Sequence, residues 1–212
     1  MILFLDTVSS LPEFSIIEDN KIIYSEKILK NFEEKMSDCI IPCYIGLEKK
    51  YTLDSNLKSI IVNTGPGSYT ALRVGIAFLL GLSFSRNIFL KGVSCTDLFK
   101  HQIKSQDVIS TAILINSSNN QKFICIYNEI KKDYNVHKIE KNINFLSLSK
   151  NPIKKILTNE NINFKDLTYL KNINNNKIDF NYLVVKNLIK ILNIPKQNII
   201  EPIYISNNKI LN

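Results

Sequence analysis

An uninterrupted apolar run from Ile2 to Leu5 closes on Asp6, the pattern of a strand buried on both faces that delivers one carboxylate to its exit. Phe14 to Glu18 and Lys21 to Ser25 are β-rich runs separated by Asp19 and Asn20, which tolerate the positive φ of a tight hairpin. Three strands therefore open the chain. Met36, Ile40, Tyr44 and Leu47 then recur at helical spacing and predict an amphipathic helix over residues 36–49, with Cys39 and Cys43 one turn apart. Pro42 lies inside it and should kink or shorten it. Ser59 to Val62 reads as the next strand, followed by the loop Asn63-Thr64-Gly65-Pro66-Gly67 and a long helix over 68–86 that Ser68 can cap. Ile88 to Val93 is another strand, and Ser94 with Asp97 has the spacing of a capped helix start.

The second half repeats the opening. Ile109 to Ile115, Phe123 to Asn128 and Tyr134 to Ile139 read as three more strands. Beyond Phe145 the pattern weakens into Asn-rich stretches such as Asn172 to Asn176, expected to be surface loops. One helix from Phe180 to Leu192 and a short strand around Ile203 to Ile205 complete the expectation. Strands and helices in this order describe an α/β protein of two related lobes with mixed sheets: residues 1–105, and residues 106–212, a reduced and basic lobe. Lys104 to Val108 is the natural crossing point.

Charge sharpens the division. The chain carries a net +8; residues 1–105 hold 12 basic and 11 acidic side chains and the remainder 15 and 8, so the second half alone is +7. That balance could serve an RNA-bound partner by counterion release, or it could be a solvated lysine-rich surface. The four cysteines form no CxxC pair and no secretory signal precedes them, which points to a reducing cytoplasm. The most apolar run, Val74 to Ser85, is flanked by Arg73 and Arg86 and falls short of the roughly 20 residues a bilayer span needs.

The chemistry centres on the turn at residues 65–67. Gly65 and Gly67 permit backbone angles closed to other residues, and the N–H groups that follow Ser68 make an anion site conceivable at a helix N-terminus. The string lacks the Gly-Lys-Ser/Thr ending of a P-loop and is no dinucleotide fingerprint, so a plain strand-to-helix turn stands beside the phosphate reading. The helix that follows is apolar almost all round and has more to cover than one sheet. Ala77, Gly81 and Ser85, at i, i+4 and i+8, form a small-residue stripe that suits either a second helix or the protein's own sheet.

The string from Gly65 to Asp97, above all GPGSYTALRVGIA followed by LKGVS, resembles the hallmark segment of the TsaB family, also called YeaZ or glycoprotease-like. ILFLDT at the N-terminus, Ile41-Pro42 inside the first helix and EPIYISNN from Glu201 stand in matching order. The resemblance is strong across residues 59–98 and faint across 140–195. It implies an actin-like ATPase (ribonuclease H-like) two-lobed fold, reduced in the second lobe and without a catalytic pocket. It also implies a non-catalytic partner subunit that binds and activates TsaD, the metal- and nucleotide-holding protein, in the N6-threonylcarbamoyladenosine modification of ANN-decoding tRNAs. TsaE joins the larger complex, a separate synthase makes the threonylcarbamoyl adenylate, and tRNA contact is indirect or weak. The family docks through the helices matched here by residues 36–49 and 68–86, which puts Met36, Ile40, Tyr44, Ala77, Gly81 and Ser85 forward as partner-binding residues. A homodimer of the chain alone would use the same helices.

Actin-like phosphotransferases place an Asp at the end of each lobe's first strand, followed by a Gly-containing turn that cradles phosphates while the carboxylates position a metal. Here Asp6 is present, but Thr7-Val8-Ser9 follows it without glycine, and Ile115 is followed by Asn116-Ser117-Ser118, a neutral amide in place of the second carboxylate. The expectation is no catalytic residue, no cofactor and no metal, with Asp6, Gly65, Gly67 and Ser68 as vestiges of a nucleotide site and Asp6 bonding its own turn. His101 and His137, the only histidines, lack metal-binding spacing, and Cys39 and Cys43 read as core thiols. The alternative is a divergent actin-like ATPase or kinase using Asp6 and the Gly65–Thr70 loop.

Overall fold

A computed structural model describes residues 1–140, 144–163, 167–195, 197 and 199–205. Strands β1 (Ile2–Asp6), β2 (Glu13–Glu18) and β3 (Lys21–Lys27) form an antiparallel meander. Asp19 and Asn20 make the hairpin with φ of 48° and 58°, the left-handed pair the sequence called for. β4 (Ser59–Asn63) then joins β1 in parallel and β5 (Leu90–Val93) joins β4, giving the order β3-β2-β1-β4-β5.

The second sheet repeats this plan. β6 (Thr111–Asn116), β7 (Lys122–Asn128) and β8 (Asp133–Lys138) form the meander, while β9 (Lys155–Thr158) and β10 (Asn174–Lys177) extend β6 in parallel. Its order, β8-β7-β6-β9-β10, is that of the first sheet element for element. β9 has no counterpart in the sequence reading, and β10 overturns the expected surface loop. All four β10 side chains are exposed, so its backbone pairing leaves no hydrophobic alternation to read.

Helix α1 (Met36–Tyr51) and the short α2 (Leu53–Asn56) precede β4; α3 (Tyr69–Arg86) links β4 to β5, and α4 (Cys95–Lys100) follows. α1 runs through Pro42 uninterrupted. The missing N–H leaves the exposed Asp38 carbonyl to solvent, which is tolerable on that side. At Ser94 the expected cap is present: its Oγ accepts the Asp97 N–H at 3.0 Å. At Ser68 it is not, for the side chain makes no cap hydrogen bond. The expected helix over 180–192 is two, α5 (Phe180–Lys186) and α6 (Leu188–Leu192). They are divided at Asn187, whose side-chain amide donates to the carbonyls of Leu183 and Leu98 at 2.8 and 3.4 Å. No strand forms over residues 203–205, although Ile203 donates its N–H to the Thr64 carbonyl at 2.8 Å.

Alternation in β1 sorts the core. Leu3 and Leu5 face α1 and α3, packing with Ile40, Tyr44, Leu47 and Leu79, whereas Phe4 faces the other way, into a cluster with Ile61 and Leu72 that continues into Ile113, Ile115, Phe123 and Leu183. That second cluster joins the two sheets. α1 and α3 therefore cover the outer face of the first sheet, and among the described residues Ile41, Ile45, Leu80 and Phe84 on these helices stay exposed.

Candidate functional site

The exits of β1, β4 and β6 converge. Asp6, 5% exposed, accepts the N–H groups of Val8 and Ser9 on Oδ1 at 2.8 and 3.2 Å, closing a turn on itself. Burial pushes its carboxyl up to about 6, against which those two backbone donors and Lys27 pull it down. Val8 is fully buried beneath the turn at residues 65–67. A Cβ on Gly67 would come within 3.3 Å of both Val8 Cγ2 and Ser117 Oγ, so the glycine serves close approach rather than phosphate access. Ser68, at 3% exposure, donates its backbone N–H to Ser117 Oγ at 3.0 Å.

Gly65, at φ 107°, takes a backbone region that favours glycine, and donates its N–H to Asn63 Oδ1 at 3.2 Å. The four expected vestiges, Asp6, Gly65, Gly67 and Ser68, are thus neighbours around one buried knot. Asn116, where a second carboxylate would stand, is equally committed. Its N–H donates to Asn159 Oδ1, its carbonyl accepts from Asn159 Nδ2, both at 2.8 Å, and its own amide donates to Thr158 Oγ1 at 3.1 Å.

Beside the knot a cleft of about 940 Å3 opens between the lobes. Ser10 donates both its N–H and its hydroxyl to the Glu160 carboxylate at 2.7 Å, and Asn181 accepts from Ser15 at 2.7 Å while donating to Glu13. Lys27 pairs with Glu13 at 2.7 Å. The polar groups of the cleft are therefore largely paired with one another. Sequence reasoning missed it because Ser10 and Glu160 stand 150 residues apart and neither belongs to a motif.

The other candidate surface lies on α1 and α3. Met36, Ile40 and Tyr44 do not face outward: they are 2–5% exposed, and the Tyr44 ring sits among Phe14 and Phe78 at 6.2 and 5.3 Å. The apolar stripe that predicted the helix is the stripe its own sheet covers, so the outward face of α1 is Ile41, Pro42 and Ile45. Ala77, Gly81 and Ser85 do lie on the exposed side of α3, as do Leu80 and Phe84. Phe84 is 91% exposed, and a Cβ on Gly81 would meet nothing within 4 Å. Arg86 bonds Glu48 of α1 and pairs with Asp54 at 3.1 Å, fixing the two helices side by side.

The family model described as "TsaD: tRNA N6-adenosine threonylcarbamoyltransferase" matches residues 32–189, well over half of the chain. The chain belongs to this family. Membership places it in tRNA threonylcarbamoyl modification. No curated protein matches the sequence. Among solved structures, YeaZ from Pseudomonas aeruginosa is 13% identical, with a TM-score of 0.58 over 96% of this chain and 99% of that one. A Pseudomonas aeruginosa protein with similarity to peptidase YeaZ gives 13% and 0.59 over 96% and 98%. The α/β fold of two mixed sheets read from the sequence is thus met, and the fold is that of the YeaZ structures, as the TsaB (YeaZ) resemblance implied.

Within the TsaD family frame, the strand exits do not suit a metal with its nucleotide. Asp6 is the one carboxylate at the two exits, its Oδ1 is taken by two backbone donors, and Asn116 is a neutral amide bound to Asn159 and Thr158. Among the described residues no group of three or more His, Cys, Asp or Glu side chains could hold a metal ion. Lys190 donates to His101 Nδ1 at 3.3 Å, and burial pushes the Cys43 thiol up to about 11, the behaviour of a core thiol. Among the described residues, no helix is long and apolar enough to cross a membrane.

Proposed function

We propose that this chain is a non-catalytic subunit of a cytoplasmic tRNA threonylcarbamoylation complex. It binds TsaD through the outward faces of α1 and α3 and stabilises the active conformation of that partner, with TsaE joining the assembly for ANN-decoding tRNAs. The observation that carries the reading is the exposure of Ile41 and Ile45 on α1 and of Leu80 and Phe84 on α3, together with the exposed Ala77-Gly81-Ser85 stripe, on two helices that Arg86 and Glu48 tie together. Such a surface costs solvation unless a partner covers it, and the small residues let a helix axis approach closely. The buried knot around Asp6 supports the non-catalytic half of the reading, since neither its donors nor its space suits a phosphate. Without the partner, two copies pair weakly through the same surface, and tRNA contact stays indirect.

Size-exclusion chromatography with light scattering of this chain mixed with TsaD from the same organism tests the proposal. The expected result is a heterodimer that Gly81→Leu abolishes while the far-UV spectrum and the melting midpoint of the variant stay native. A mixture that elutes as separate, folded proteins would sink the proposal. So would a heterodimer that Gly81→Leu leaves intact.

A further inference from the structure

Ile200 is buried in the core of the first lobe, Gln197 accepts the Gly92 N–H on Oε1 at 2.7 Å, and Ile203 bonds Thr64. The chain beyond α6 thereby crosses back over the ends of β4 and β5 and delivers Tyr204 to the outward side of α3. There Arg73 donates from Nε to the Tyr204 hydroxyl at 2.9 Å. The guanidinium carbon lies 3.9 Å from the centre of the Tyr69 ring and 5.5 Å from that of Tyr204, and the two rings are 4.7 Å apart. An arginine side chain is ordinarily flexible; this one is stacked on the Tyr69 ring and bonded to the Tyr204 hydroxyl. Among the described residues no carboxylate pairs with it.

Arg73 also lies in line with the stripe. Ala77, Gly81 and Phe84 follow it at four, eight and eleven residues, so Arg73 and Phe84 stand about 16 Å apart along the helix. We propose that Arg73 is the specificity-determining contact of the docking face, its guanidinium presented by Tyr69 and Tyr204 to the Asp or Glu side chain of a partner helix. The inference rests on the docking reading above. It commits the partner to a helix that carries a carboxylate about three turns from a large apolar socket for Phe84. A second copy of this chain supplies the match poorly, because Glu48 and Asp54 are held by Arg86 and Asp38 accepts from Ser37.

The test is the Kd of the heterodimer with TsaD from the same organism, measured by calorimetry at low and moderate salt for the wild type, Arg73→Gln, Arg73→Lys, Tyr204→Phe and Phe84→Ala, with a thermal melt of each. Arg73→Gln is expected to weaken binding at least about tenfold and to flatten its salt dependence. Arg73→Lys should not restore it, because an ammonium lacks the planar fork. Tyr204→Phe should weaken it about threefold, with the melt unchanged, because the guanidinium is no longer held. If Arg73→Gln binds within about twofold of wild type while Phe84→Ala disrupts the complex, the role of Arg73 is overturned and docking stands. A wild type that never binds removes the docking reading and this inference with it. An Arg73→Gln effect confined to self-association assigns the contact to a second copy and overturns it.

Discussion

The backbone N–H of Ser68 is bonded to the hydroxyl of Ser117 at 3.0 Å, although 49 residues separate them and they follow strands of different sheets. The backbone donor of the N-cap residue of α3 is thereby spent on holding the lobes together. Ser117→Ala leaves that N–H buried without an acceptor, and a loss of about 1–2 kcal/mol in urea unfolding is expected. A loss under about 0.3 kcal/mol would mean that water replaces the hydroxyl and the knot is not sealed.

Asp6 makes stability depend on pH in an unusual sense. Its carboxyl is raised from 3.8 to about 6 by burial, so between those values the folded protein binds the proton more tightly than the unfolded chain. This contribution is fully present below the lower value and is lost as pH rises through the upper one. Asp6→Asn keeps an oxygen for Val8 and Ser9 without the buried charge. The variant should gain on the wild type by about 1–3 kcal/mol between pH 4 and 7 in parallel urea titrations. Parallel curves for the two proteins would show that Asp6 does not titrate in this window.

Tyr44 and Ile45 are adjacent in sequence and opposite in consequence. Tyr44, 4% exposed, packs on Phe14 and Phe78, so Tyr44→Ala should cost about 3 kcal/mol or more. Ile45, 42% exposed, should tolerate Ile45→Asp within about 1 kcal/mol while losing the heterodimer. The reverse order of melting midpoints would place the helix the other way round.

Nucleotide turnover separates the proposed role from a divergent ATPase or kinase built on Asp6 and the Gly65–Thr70 loop. Any phosphate release by the purified chain is expected to be the same in the wild type and in Asp6→Ala. Hydrolysis that disappears with Asp6 would restore the enzyme reading and make the 940 Å3 cleft beside it the place to seek the substrate.

Most elements were legible because each leaves a local pattern. β1 announces itself by an unbroken apolar run, and the hairpin at Asp19-Asn20 by residues that accept positive φ. The doubled order of strands was readable because three β-rich runs recur after residue 105. β10 was not, since Asn174–Lys177 is an exposed edge whose pairing is entirely backbone, and a backbone bond has no residue signature. The split at Asn187 was hidden for the opposite reason: the amide is diverted by the Leu98 carbonyl, a partner 89 residues away.

The candidate sites divide along the same line. By itself the sequence determined the TsaB (YeaZ)-like hallmark segment, the absent second carboxylate at Asn116, the missing glycine at Val8 and the small-residue stripe Ala77-Gly81-Ser85, because composition at a position is a property of the chain. Only the tertiary structure decided which side of each helix meets water. Met36, Ile40 and Tyr44 were the most conspicuous apolar residues of α1, and that prominence is why the sheet buries them; Ile41 and Ile45, left over, form the open face. The convergence of Ser68 on Ser117, of Ser10 on Glu160 and of Tyr204 on Arg73 was likewise decided by packing, since each joins residues 49 to 150 apart whose approach depends on how two sheets share one core.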